Sequence, residues 1–187
     1  MEMLLVFLAL LAVAGAVAAF VIVTYNALVR LRTEAEEGWS GVDVQLKRRA
    51  DLVPSLVNVV KGSASHERQT LEAVTAARAG TMTAQTPAQR AAAEARLSQA
   101  LANLYMVAEA YPELKASVNF TSLQEELSGI EDTLQSARRY YNATVRDLNI
   151  KVDSFPTNLV ARAFRFVRRE FFELDNSSDR AAPAVHF

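Results

Sequence analysis

The chain of 187 residues has no cysteine and only two histidines, His66 and His186. Without cysteine there are no disulfides, thiolate metal sites or sulfur nucleophile, and no lipid-bearing cysteine of the bacterial lipoprotein kind. The scarcity of histidine excludes more. A carboxylate-bridged metal centre in a helical bundle needs Glu followed three residues later by His on two helices. Here the residues three positions before the histidines are Ser63 and Pro183. His66 beside Glu67 does not extend to a two-His zinc spacing and reads as a surface or capping residue. Six glycines and five prolines leave no phosphate-cradling loop and no nucleophile elbow. No segment alternates polar and apolar with period two in strand-forming composition, so a sheet is not expected. Glu125, Glu126, Glu131 and Asp132 read as a solvated helix face rather than an acid–base set. The reading is therefore a protein without enzymatic activity, cofactor or bound metal.

Excess charge is missing too. All 20 basic residues and all but one of the 21 acidic residues lie from Arg30 onward, so this part is formally neutral and has no bulk attraction to nucleic acid.

What the chain does have is a long apolar start. From Met3 to Val23 every residue is apolar or glycine, and no charge occurs between Glu2 and Arg30. At the helical rise this run reaches roughly 31 Å, the thickness of a bilayer's hydrocarbon core. A cleaved signal peptide has a basic start and a shorter apolar core, whereas here the only preceding charge is Glu2, so residues 1–25 read as a retained transmembrane anchor. Small residues at Ala12, Ala14, Gly15, Ala16, Ala18 and Ala19 resemble a cleavage region and equally suit close approach of two such helices. The flanking Arg30 and Arg32, with Lys47, Arg48 and Arg49 beyond, place the following domain in the cytoplasm by the positive-inside rule.

Residues 26–174 carry helical periodicity. Leu28, Leu31 and Ala35, then Trp39, Val42, Leu46, Ala50, Val53, Val57 and Val60, recur at steps of three or four. The membrane helix thus continues into the first bundle helix, with Gly38 and Gly41 as weak points. Pro54 is expected to kink this helix, and Gly62 to Ser65 to bend or break it. A second helical stretch runs from His66 to Ala79 and stops at Gly80. Thr86 then caps a helix with Pro87 in its first turn and Leu97, Leu101, Leu104, Ala108 and Tyr111 along one face, ending by Pro112. Tyr111 to Ser117 forms a connection.

The most regular stripe is Phe120, Leu123, Leu127, Ile130, Leu134, Ala137, Tyr141, Val145, Leu148 and Val152. Thr121 with Gln124, or Ser122 with Glu125, supplies a capping-box start, and Pro156 the end. The segment from Thr157 to Leu174 begins as a helix, and residues 175–187 form a loose tail. The expected fold is all-α: an N-terminal transmembrane helix followed by an elongated antiparallel bundle of about four helices.

Three surfaces are candidates for interaction. Arg48 and Arg49 lie just before Pro54, beside Lys47 and Asp51; either arginine is buried only if paired. Tyr140 neighbours Tyr141, Arg138, Arg139 and Asn142 but lies off the apolar stripe. The third is Arg162, Phe164, Arg165, Arg168, Arg169 and Phe171, in a run carrying four positive charges against Glu170. As a helix it would align Phe164, Val167 and Phe171 for a second subunit, a partner groove or the headgroup layer.

The stretches YNALVRLR from Tyr25, GWSGVDVQLKRRADLVPSLVNVVKGSASHERQTLEAVTAARA from Gly38, YPELKASVNFTSLQEEL from Tyr111 and RRYYNATVRDLNIKVDSFPTNLVARAFRF from Arg138 resemble the bacterial LemA family. The departures are Ser55, where family members commonly have Asn, and Ser63, where they have Tyr. The resemblance implies an N-terminal membrane helix and an antiparallel bundle in the bacterial cell membrane, with no established enzyme activity. Relatives among membrane-organisation proteins of magnetosome-forming bacteria imply a scaffolding role; together with the membrane stalk and the missing catalytic sets, this leads to the expectation of a homo-oligomer on the bilayer that recruits other membrane proteins. The alternatives are an adaptor for a membrane protease or signalling system, and an enzyme with an unrecognised site. Members with a cysteine before the Tyr-Asn pair imply an outward-facing bundle, against the charge rule.

Overall fold

The computed structural model describes residues 1–173; the expected tail at 175–187 lies outside them. The elements are α1 (Glu2–Ser63), α2 (Arg68–Thr83), α3 (Pro87–Glu109), α4 (Pro112–Lys115), α5 (Val118–Asp153) and α6 (Thr157–Ala163). Among the described residues there is no strand, and the all-α, bundle-like architecture follows the apolar spacings of the sequence. The chain divides into two compact units, residues 1–39 with 140–170, and residues 40–139 with the chain from Phe171 on.

In the first unit, α1 begins with every side chain from Met1 to Phe20 exposed, and burial starts at Thr24 and Leu28. Farther along, α1 meets α5 closely. A Cβ at Gly38 would come within 3.2 Å of Tyr141 Cα, and the Trp39 and Tyr141 rings stand 5.3 Å apart. Gly38 is thus a close-approach point, where the absence of a side chain lets two helices touch. The Tyr141 hydroxyl donates to the Glu170 carbonyl at 2.8 Å. The Asn149 amide grips Arg169 twice, donating to its carbonyl (3.0 Å) and accepting from its N–H (2.9 Å). These bonds satisfy backbone groups of a non-helical segment against α5.

That segment follows a helix that begins at Thr157, as the sequence reading expects, and ends early. The helix α6 stops at Ala163. Phe166 N–H bonds the Ala161 carbonyl at 2.9 Å and Arg165 N–H the Arg162 carbonyl at 3.2 Å, the paired bonds that close a helix through a left-handed residue. The left-handed residue is Arg165, with φ of 59°. Glycine is the usual occupant, so nothing in the composition marked the stop.

The second unit is built from the later part of α1 with α2, α3, α4 and the first part of α5. Its core joins Val53, Leu56 and Val60 of α1, Leu71 and Val74 of α2, Leu97, Leu101 and Leu104 of α3, Leu114 of α4, and Phe120 and Leu127 of α5. Thr86 accepts from Gln89 N–H while the Gln89 side chain accepts from Thr86 N–H, a full capping box ahead of Pro87. Three boundaries move. The helix α2 passes through Gly80 to Thr83, the connection after Tyr111 contains the single turn α4, and α5 begins at Val118, so Thr121 bonds back to the Ser117 carbonyl (3.3 Å) instead of capping.

Pro54 lies inside α1, which continues to Ser63. Proline has no N–H for the carbonyl four residues earlier, that of Ala50. Arg78 of α2 donates its Nε to that carbonyl at 2.7 Å.

Candidate functional site

Two groups of side chains stand out, one in each unit. In the second unit, Arg49 is 7% exposed and Glu94 is 1% exposed. Arg49 Nη1 lies 3.2 Å from Glu94 and 3.0 Å from Glu131, and Nη2 donates to Ser98 Oγ at 3.0 Å. One guanidinium on α1 thereby joins α3 and α5. Burial pushes the Glu94 carboxyl up to about 7, Arg49 pulls it partly back, and Glu131 raises it again. Glu94 Oε1 and Arg49 Nε have no hydrogen-bond partner among the described residues. Glu94 also lines a cavity of about 180 Å³ with Asp43, Lys47, Asp51 and Arg90, and Arg90 is ion-paired to Asp43.

Of the residues picked out near Pro54, Arg49 is in this buried cluster, while Arg48, Lys47 and Asp51 are exposed. The partners of Arg49 come from α3 and α5; Glu94 was not singled out in the sequence. A signal for it existed, since Glu94 precedes Leu97 by three and Leu101 by seven and so sits on the apolar stripe of α3. Arg49 likewise falls in step with Leu46 and Val53.

In the first unit, the basic and aromatic run lies along α1. Phe164 packs edge-on to Tyr25 at 4.8 Å, Phe166 lies 5.7 Å from Tyr25, and Arg32 stacks over the Phe166 ring at 5.3 Å. Arg168 pairs with Asp153 at 3.3 Å and Arg169 with Glu36. Arg162 and Arg165 are exposed, and so is Tyr140 beside Gly38. Phe171 is half-buried and belongs to the second unit. Phe164, Val167 and Phe171 share no helical face, because the chain after Ala163 is not a helix.

The model of the LemA family matches residues 38–187. The chain belongs to the LemA family. Among similar LemA relatives, the magnetosome protein MamQ of Magnetospirillum gryphiswaldense is 23% identical over 181 residues, covering 83% of this chain and 66% of that protein. The magnetosome protein MamQ 2 of Paramagnetospirillum magneticum is 29% identical over 87 residues, 46% of this chain and 32% of that protein. Protein LemA of Metamycoplasma hominis is 26% identical over 138 residues, 73% and 63% of the two chains. The chain thus spans two thirds or less of the length of these relatives. With one helix among the described residues long and apolar enough to cross a bilayer, none of whose apolar stretch is buried, this LemA-family chain is a membrane-associated helical protein.

Proposed function

We propose that this chain is a non-enzymatic scaffold of the bacterial cell membrane, anchored by α1, self-associating through that anchor and recruiting other membrane proteins on the cytoplasmic side. The observation that carries the reading is the state of the apolar run. Every residue from Met1 to Phe20 is exposed, and a Cβ at Gly15 would meet nothing within 4 Å. An apolar helix with all faces open needs lipid or another helix around it. Gly15 and Ala19, with Ala12 and Ala16 beside them, give the small-residue spacing that lets two spanning helices approach closely.

Other features support the same reading. Arg30 and Arg32 follow the span directly. Glu94 fits a role as an internal staple, since its high pKa comes from burial and its ion-pair partner is Arg49, which also pairs with Glu131. The MamQ relatives are named as magnetosome proteins, in keeping with work at a membrane.

The test is native mass measurement of the full chain in nanodiscs, with Gly15→Leu/Ala19→Leu as the variant. The parent chain gives dimers or larger species and the variant shifts toward monomer. A parent chain that is monomeric at every concentration and brings no other protein with it contradicts the proposal.

A further inference from the structure

We infer that the end of the first unit nearest the membrane span is a second, peripheral membrane contact, in which Phe155, Leu159 and Phe164 enter the headgroup layer and the surrounding arginines bind anionic phospholipid. The inference rests on α1 crossing the bilayer, but not on self-association.

The height of this surface is set by contacts within the unit. The apolar run ends at Val23, so Tyr25 stands at the water–lipid boundary, and Phe164 touches Tyr25 at 4.8 Å. From the meeting of Tyr141 with Gly38, α5 descends toward the span. Asn149 lies beside Arg169, Asp153 pairs with Arg168, and the turn beyond α5 leads through α6 to Phe164. Twelve residues of α5 from Tyr141 to Asp153 cover roughly 18 Å, as do the twelve of α1 between Gly38 and Asn26. The turn after α5 therefore lies level with Tyr25.

At that level the surface is greasy and basic. Phe155 is 80% exposed, and Leu159 and Phe164 are at least half exposed. Apolar groups of this size clustered at one end of a unit mark a contact site, and their place beside the span identifies the bilayer as the occupant. The stretches 25–32 and 150–170 hold seven basic residues and two acidic ones, the sign that suits anionic headgroups. Arg165 adds an independent observation: it keeps a charged side chain at a left-handed position where glycine fits with less strain.

The absence of cysteine makes the test direct. Phe155→Cys, Leu159→Cys, Val13→Cys and Glu37→Cys of the full chain are each labelled with an environment-sensitive fluorophore. They are placed in nanodiscs of phosphatidylcholine, with or without phosphatidylglycerol, containing lipid that carries a quencher either high on its acyl chain, to report on residues 155, 159 and 37, or near the chain end, to report on residue 13 at the middle of the span. Labels at 155 and 159 are quenched and blue-shifted, more so with phosphatidylglycerol, while the label at 37 reports water. Arg162→Glu/Arg165→Glu returns the labels at 155 and 159 toward water in the phosphatidylglycerol nanodiscs, lowering the ratio of membrane-contacting to free surface by about fivefold per arginine removed. Water-like, unquenched labels at 155 and 159 with a quenched label at 13 overturn the inference and leave the span intact. An unquenched label at 13 overturns the span itself. A blue shift that fades as chains are diluted with lipid assigns the surface to a second copy and also overturns the inference.

Discussion

Glu94 occupies a place on α3 that helical spacing gives to an apolar side chain, and its chemistry follows from that position. Its folded pKa of about 7 lies above the usual carboxylate value of 4.5. Between these two pH values the folded chain holds a proton that the unfolded chain has released. The stability from this group is therefore complete below about pH 4.5 and lost as pH rises through 7, by about 3 kcal/mol in all. Denaturant unfolding of the full chain in nonionic detergent, followed by circular dichroism at pH 5 and pH 8, measures this. Glu94→Gln flattens the difference; an unchanged pH dependence in that variant refutes the assignment. Arg49 and Glu94 were legible as anomalies, two charges in step with apolar stripes. Their pairing was not, because spacing within one helix carries no information about the rotation of another against it.

Pro54 and Arg78 show the same limit between elements. The missing N–H at Pro54 is written in the sequence, and a kink was the natural expectation; that Arg78 would fill the vacant bond to Ala50 depends on α2 lying alongside. Arg78→Met leaves a carbonyl without its donor and costs about 1 to 3 kcal/mol of stability. In the Pro54→Ala background an N–H restores the intrahelical bond, and the same substitution costs measurably less. A double-mutant cycle on unfolding free energies checks this, and strict additivity argues against it. The apolar stripes, the Thr86 cap and the proline-marked ends were readable because they are local. The start of α5 and the passage of α2 through Gly80 were set by packing, which overrides weak propensities. The segment from Thr157 begins as a helix, as expected, but where it ends was not legible, because its stop uses Arg165 in place of the glycine that normally announces one.

Across the whole molecule, α1 connects every part of the reading. One helix supplies the apolar run, the Leu28 and Ala35 face of the first unit and the Val42 to Val60 face of the second. If the bundle is cytoplasmic, a membrane-impermeant maleimide leaves Glu37→Cys unlabelled in spheroplasts and modifies it after permeabilisation; labelling of intact spheroplasts reverses the orientation. Membrane anchoring itself comes before sidedness, assembly and lipid contact, because each of them assumes it. Alkaline carbonate extraction of membranes from cells making the full chain, with an intact mass of the retained protein, measures it most directly. The chain is predicted to stay in the membrane pellet at a mass that includes Met3 to Val23. Its release into the aqueous fraction, with or without those residues, contradicts the anchor.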